Sequence, residues 1–244
     1  NMKAIHDIKK PVTKLNNMIG MKKLKENVIN QILYFIQSFH QGCSNDFMHT
    51  VIYGPPGTGK TEIARLVGKL FKCLGTLSKG HFIEADRSSL IEGYIGQTAI
   101  KTQNVLQSAK GGVLFIDEAY TLTSSSQKGD FGAECISTIL KFMEDNRDDF
   151  ILIVAGYEKE MGEFLNANSG LKSRFNSQLY FPDFTEKELL EILIKMSKDR
   201  GYCIPINTNN LLKNNLAKIS EFKKPTFGNA RSMRNLLEIA IKNQ

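Results

Sequence analysis

No stretch of this 244-residue sequence approaches the roughly 18 consecutive apolar residues of a membrane-spanning helix, so membrane insertion is not expected. Cysteines are few. Cys43, Cys73, Cys135 and Cys203 form no C-x-x-C pair and stand at no zinc-ligand spacing from a histidine, which points to reduced thiols and a cytoplasmic setting. The basic start, NMKAIHDIKKPVTK, has no apolar segment of the kind a secretory signal needs, and beginning on Asn1 suggests a fragment of something longer. There is no internal repeat and no low-complexity tract. Basic residues outnumber acidic ones, 32 against 25, giving a net charge of +7 and a pI near 9.1. Yet the densest lysine groups, Lys22, Lys23 and Lys25, then Lys223 and Lys224, carry no interleaved aromatics, and read as solvated faces more readily than as a nucleic-acid surface.

What is present is an ordinary globular composition, 41% hydrophobic and 23% charged, in a chain long enough for one large domain or one domain with a smaller satellite. Strand-like runs recur as TVIY (50–53), HFIEA (81–85), GVLFID (112–117), FILIVAG (150–156) and SQLYF (177–181), separated by helical patterns. Between the third and fourth runs, Ile136, Ile139, Leu140 and Met143 follow the spacing of one buried helix face. Short apolar strands alternating with such helices predict an α/β fold, a five-stranded parallel sheet flanked by helices. After FPDF the texture turns helical, opening with Thr185 and Glu188 as a capping box. A boundary near residue 184 follows, giving an α/β unit over 1–184 and a small all-helical unit over 185–244. The last helix places Met233, Leu236, Leu237, Ala240 and Ile241 on one stripe.

The stretch VIYGPPGTGKTEIARLVGKLF (51–71) runs an apolar strand into a glycine-rich turn and then an amphipathic helix. Its G-x-x-x-x-G-K-[ST] pattern lets backbone N–H groups converge on phosphate oxygens, backed by the positive end of the helix dipole. Candidate nucleotide contacts are Pro56, Gly57, Thr58, Gly59, Lys60, Thr61 and Glu62. Lys60 would reach the β- and γ-phosphates, and the Thr61 hydroxyl would occupy one position on a Mg²⁺ ion. In GGVLFIDEAY (111–120) an apolar strand delivers Asp117 and Glu118 at its carboxyl end, the edge where open α/β sheets bind ligands. Asp117 would hold Mg²⁺ through its water shell, and Glu118 would orient and deprotonate the attacking water.

GPPGTGKT together with FIDEA resembles the AAA+ ATPases, P-loop enzymes that bind ATP and ADP, and the likeness extends over nearly the whole chain. GYIGQTA (93–99), GGVLFIDEAY (111–120), IVAGYEKEM (153–161), GLKSRF (170–175) and FGNARSMRN (227–235) are similar to the branch of CbbX-type Rubisco activases, SpoVK and the type VII secretion ATPases. The resemblance implies that the C-terminal helices form a lid. It makes Arg174 an arginine finger reaching a neighbour's γ-phosphate, and so implies self-association, in a hexameric ring by family pattern. Arg231 matches the lid's second sensor of nucleotide, and a cation at a helix start is itself unfavourable unless an anion is near. Arg234 either assists it or pairs with an acidic neighbour. Met18, Ile19 and Gly20 match the entry segment that encloses adenine. Many relatives end the fourth strand on an asparagine or threonine as first sensor. Here the strand runs into Ala155, Gly156, Tyr157 and Glu158, which leaves open the residue that positions water.

Tyr94, Ile95 and Gly96 fit the family's pore loop, where aromatics wedge against a passing chain with little demand for sequence. The expected function is therefore Mg-dependent ATP hydrolysis coupled to remodelling of a protein client. Two alternatives remain: a nucleic-acid-dependent motor or clamp-loader-like ATPase, which the basic pI would suit, and an ATP-binding scaffold with little turnover. The pore triplet and the absence of a basic recognition helix favour a protein client over nucleic acid.

Overall fold

The computed structural model describes residues 2–36, 48–94, 96–123, 131–205, 208, 212–213 and 227–243. Cys43, Ile95, Lys223 and Lys224 lie outside the described residues. In chain order the elements are α1 (Met2–Asn16), α2 (Lys22–Ile36), β1 (Thr50–Tyr53), α3 (Lys60–Leu74), β2 (Phe82–Ala85), α4 (Arg87–Leu90), α5 (Gln97–Ala109), β3 (Val113–Ile116) and a 3₁₀ turn at Ala119–Leu122. They continue with α6 (Phe131–Asp145), β4 (Ile151–Gly156), α7 (Glu158–Asn166), α8 (Ser169–Arg174), β5 (Ser177–Tyr180), α9 (Glu186–Asp199) and α10 (Ala230–Lys242). Among the described residues no helix is long and apolar enough to cross a membrane.

The five strands form one parallel sheet in the order β2-β3-β4-β1-β5. β1 lies between β4 and β5, with Thr50 opposite Ile153 on one side and Ser177 on the other. Every residue of β1, β3 and β4 is buried, as a parallel sheet covered on both faces requires. The period-two alternation divides the core. Ile52, Phe115 and Ile153 face a layer built from α1, α2 and α3, while Val51, Leu114 and Val154 face one built from α5, α6 and α7. In α3, Ile63, Leu66, Val67, Leu70 and Phe71 recur on one buried face, each worth roughly 1.5–3 kcal/mol of transfer free energy when fully buried. The face expected on α6 forms too, with Ile136, Ile139 and Met143 buried and Leu140 half-buried.

Thr185 and Glu188 make the capping box that opens α9: Glu188 N donates to Thr185 Oγ1 at 3.3 Å, and Thr185 N donates to Glu188 Oε2 at 2.7 Å. The apolar stripe of α10 is buried only at Met233 and Leu237; Leu236 is 38% exposed, and Ala240 is exposed as well. Among the described residues α10 packs chiefly against α9, and a helix laid on a single neighbour buries a narrow seam rather than a broad face.

Candidate active site

β1, β3 and β4 all end at the same edge of the sheet, and Gly54 N, just past β1, donates to Gly156 O at 3.1 Å. The glycine-rich loop therefore starts fixed to the end of β4. Thr58 is buried and closes the loop on itself by donating to Pro55 O at 2.9 Å. Gly59, at φ 92°, is the N-cap of α3 and offers no side-chain acceptor to the first turn, so those amides are left for an anionic ligand. Lys60 Nζ donates to Gly54 O and Pro55 O, both at 2.9 Å. Burial pushes its pKa down, Asp117 and Glu118 pull it back up, and Arg231 lowers it again. A desolvated ammonium with a second cation beside it is what a polyphosphate would relieve.

These groups line a cleft of about 630 Å³. Of the residues assigned to nucleotide, Met18, Ile19, Pro56, Gly57, Thr58, Gly59, Lys60, Thr61, Glu62, Asp117, Glu118 and Arg231 line it, and so does Arg234. Gly20 lies beside the cleft: a Cβ there would meet Glu188 Oε1 at 2.4 Å, so its backbone is pressed against the start of α9. Lys25 Nζ donates to Met18 O and Asn16 O, and Lys195 Nζ to Asn17 O at 3.1 Å, which fixes the segment carrying Met18 and Ile19. Burial is the first cause of the lowered pKa of Lys25. Tyr157, Ile192, Lys195 and Asp199 also line the cleft. Sequence reasoning passed over Ile192, Lys195 and Asp199 because α9 reads as an ordinary amphipathic helix, whereas Tyr157 stands where the sequence left the water-positioning residue open.

Asp117 and Glu118 follow β3 directly. Glu118 takes a left-handed conformation, φ 49° and ψ 42°, which is uncommon for a residue with a Cβ. Its N–H donates to Asp117 Oδ1 at 3.0 Å, and its exposed carboxylate stands at the cleft. A second depression shared by Asp117, Glu118, Asp86, Arg87 and Gly93 connects this corner to the segment leading into Tyr94.

At the other wall α10 begins against the phosphate loop. Asn229 is 0% exposed and adopts φ 47°, ψ −123°, a region that favours glycine and costs an asparagine about 1–3 kcal/mol. Its side chain does not cap α10. Instead Nδ2 donates to Pro56 O at 3.2 Å and to Asp183 Oδ1 at 2.9 Å, while Oδ1 accepts from Phe184 N at 3.1 Å. Sequence reasoning missed this residue, since an asparagine before a helix normally reads as a plain N-cap.

Arg174 does not come to this cleft. It ends α8 just before β5, at the amino-terminal edge of the sheet, and donates to Glu144 Oε2 at 3.1 Å and to Gly170 O at 3.2 Å. Tyr94 is also remote in character, 72% exposed between α4 and α5, with Gly96 opening α5. The base of that segment is tied down. Thr98 and Thr102 are fully buried, Glu92 N donates to Thr98 Oγ1 at 3.1 Å, Thr102 Oγ1 donates to Leu90 O at 2.8 Å, and Lys101 pairs with Glu92 at 2.7 Å.

Comparison with known proteins matches residues 50–183 to the ATPase family associated with various cellular activities (AAA) and residues 185–244 to the AAA lid domain. Stage V sporulation protein K of Bacillus subtilis is 42% identical over 249 residues, spanning 99% of this chain and 77% of that protein. The chloroplastic ribulose bisphosphate carboxylase/oxygenase activase of Cyanidioschyzon merolae is 43% identical over 201 residues, 82% of this chain and 68% of that one. The ESX-3 secretion system protein EccA3 of Mycolicibacterium smegmatis is 41% identical over 201 residues, covering 78% of this chain and a third (33%) of that longer protein. The FIGL-1 AAA domain solved in complex with ADP shares the fold, with a TM-score of 0.62 at 21% identity over 91% of this chain and 70% of that one. A cleft that gathers the phosphate loop, the paired carboxylates and a lid arginine thus sits in a chain that belongs to the AAA ATPases, in the branch of sporulation protein K, the CbbX-type activases and EccA3.

Proposed function

We propose that this ATPase works as a ring, a hexamer by family pattern, in which each nucleotide is held by one subunit and completed by Arg174 of the next, and that hydrolysis drives a polypeptide client past Tyr94. The observation that carries this is the separation of Arg174 from its own cleft. β1 and β5 each contribute four residues, at about 3.3 Å rise per residue, so roughly 10 Å of sheet lies between the edge holding Arg174 and the edge holding Gly54. An arginine anchored there is placed to serve a second copy. The two units, 1–184 and 185–244, would then change their angle with nucleotide state.

Within one subunit the chemistry divides among this chain's own groups. The amides at the start of α3 and Lys60 hold the β- and γ-phosphates, and Arg231 closes over them from the lid. Glu118 takes the proton of the attacking water, in a position fixed by its left-handed backbone. Thr61 and Asp117 are hard oxygen donors, and among the described residues no group of three or more potential ligands could hold a metal unaided. That donor set fits Mg²⁺ carried largely by phosphates and water. When bound, the ion would neutralise charge on the phosphate oxygens. Tyr94 extends from a braced base near the carboxylates, which would let a change at Asp117 and Glu118 reach the loop.

Steady-state hydrolysis measured across protein concentration, with and without a permanently unfolded polypeptide, tests this. Specific activity should rise with concentration, and the polypeptide should stimulate it in the wild type but not in Tyr94→Ala. A rate per subunit independent of concentration, or stimulation by DNA or RNA in place of polypeptide, would defeat the proposal.

A further inference from the structure

Asn229 joins the phosphate loop, the connection between β5 and α9, and the start of α10 through one buried side chain. One Nδ2 hydrogen goes to the phosphate loop at Pro56 O, the other to Asp183 Oδ1 in the connection between β5 and α9, and Oδ1 accepts from the neighbouring Phe184 N. The adjoining backbone repeats the link: Ala230 N donates to Gly57 O at 3.1 Å, and a Cβ on Gly57 would come within 2.0 Å of Gly228 O. We propose that Asn229 is a positioning residue that couples the shape of the phosphate loop to the orientation of α10, so that the loop and the Arg231 carried by α10 respond to nucleotide as one unit. This rests on the reading that nucleotide phosphates bind the loop at 54–61.

The physical basis is satisfiability. A carboxamide has two donors and two acceptor sites, and here three of them are committed, one to the phosphate loop at Pro56 and two to the neighbouring Asp183 and Phe184. All three bonds form in a single mutual arrangement of those segments. If the loop reshapes and Pro56 O turns away, a donor is left bare in a fully buried place, where an unmade hydrogen bond is costly. The backbone reinforces the effect. An asparagine at φ 47° and ψ −123° persists only while its surroundings hold it, so loss of one side-chain bond would let the turn from Gly228 to Ala230 relax and carry the start of α10 with it. A residue serving only to knit the lid to the sheet would need none of this strain, since an ordinary backbone with the same bonds would do.

Asn229→Gly separates coupling from folding, because glycine accepts this backbone freely and only the carboxamide is removed. Amide hydrogen exchange is followed with and without saturating ADP. In the wild type ADP should slow exchange both at 54–62 and at 228–236. In Asn229→Gly it should slow exchange at 54–62 alone, and ADP should dissociate at least about tenfold faster, since all three side-chain hydrogen bonds are lost and one buried bond alone is worth close to that factor. Asn229→Asp keeps the acceptor for Phe184 N but turns a carboxylate toward Pro56 O and Asp183, and should also uncouple α10. ADP-dependent protection of α10 that persists in Asn229→Gly, or wild-type coupling in Asn229→Asp, would overturn the inference while leaving the nucleotide site intact. If ADP fails to protect 54–62 even in the wild type, the nucleotide-site reading falls first and the coupling falls with it.

Discussion

At the carboxyl-terminal edge of the sheet, side chains from the entry segment, the phosphate loop, β3, β4, α9 and α10 converge on one cleft. At the amino-terminal edge, Arg174 is tied to Glu144 and lies near the buried His49, whose Nδ1 accepts from Leu152 N at 3.0 Å. The first edge gathers the groups suited to hold a nucleotide, whereas the second holds a guanidinium paired with a carboxylate, away from that cleft. Under the proposed function, the difference means that binding and turnover draw on different amounts of protein, with one chain forming the cleft and a neighbour completing it.

The largest effect should come from dividing the two edges between subunits. Arg174→Ala should slow hydrolysis by about 10³-fold or more, and Glu118→Gln by about 10²- to 10⁴-fold, with ADP affinity retained in both. Mixed one to one, the two inactive proteins should recover measurable turnover, because some clefts with an intact Glu118 then meet a neighbour with an intact Arg174. A mixture no faster than its components would collapse the comparison, since both groups would have to act within one chain.

The amino-terminal edge should also be the acid-sensitive one. Burial, with help from Arg174, lowers the His49 pKa to about 3, against about 6.5 for an unfolded histidine. Between these values the unfolded chain binds a proton that the native chain does not, so stability is lost as pH falls from 6.5 toward 3. At pH 5 this amounts to about 2 kcal/mol relative to neutral pH. Urea midpoints at pH 7.5 and 5 should therefore differ in the wild type and converge in His49→Asn; an undiminished difference in the variant would place the acid sensitivity elsewhere. The smallest effect lies at the lid. Thr185→Ala removes the cap of α9 and should cost about 1 kcal/mol, or roughly 2–4 °C in Tm, without a matching change in pH dependence.

Some of this was legible in the sequence because the chemistry needs contiguous residues. A phosphate loop is built from neighbours, so Gly57, Gly59, Lys60 and Thr61 announce it, and alternating apolar strands and helices announce the sheet. The capping box is equally local, with Thr185 and Glu188 three residues apart. Asn229 was not legible, since its partners Pro56 and Asp183 stand 173 and 46 residues away and only the fold brings them together. The same holds for Glu144, which meets Arg174 across 30 residues. Periodicity also has limits. It identifies the apolar side of α10 but not the width of the surface that receives it, so Leu236, on that side, is 38% exposed. Gly20 was named with Met18 and Ile19 for the adenine segment, but its close approach to Glu188, far along the chain, could not be read there.

Gly57 shows how finely the two units are fitted. On the side facing Gly228 there is room for a hydrogen atom and nothing larger, so in this arrangement the fit of the two units is gauged by the thickness of one C–H bond. A methyl group at that position would act as a shim, and a looser machine is therefore a single substitution away.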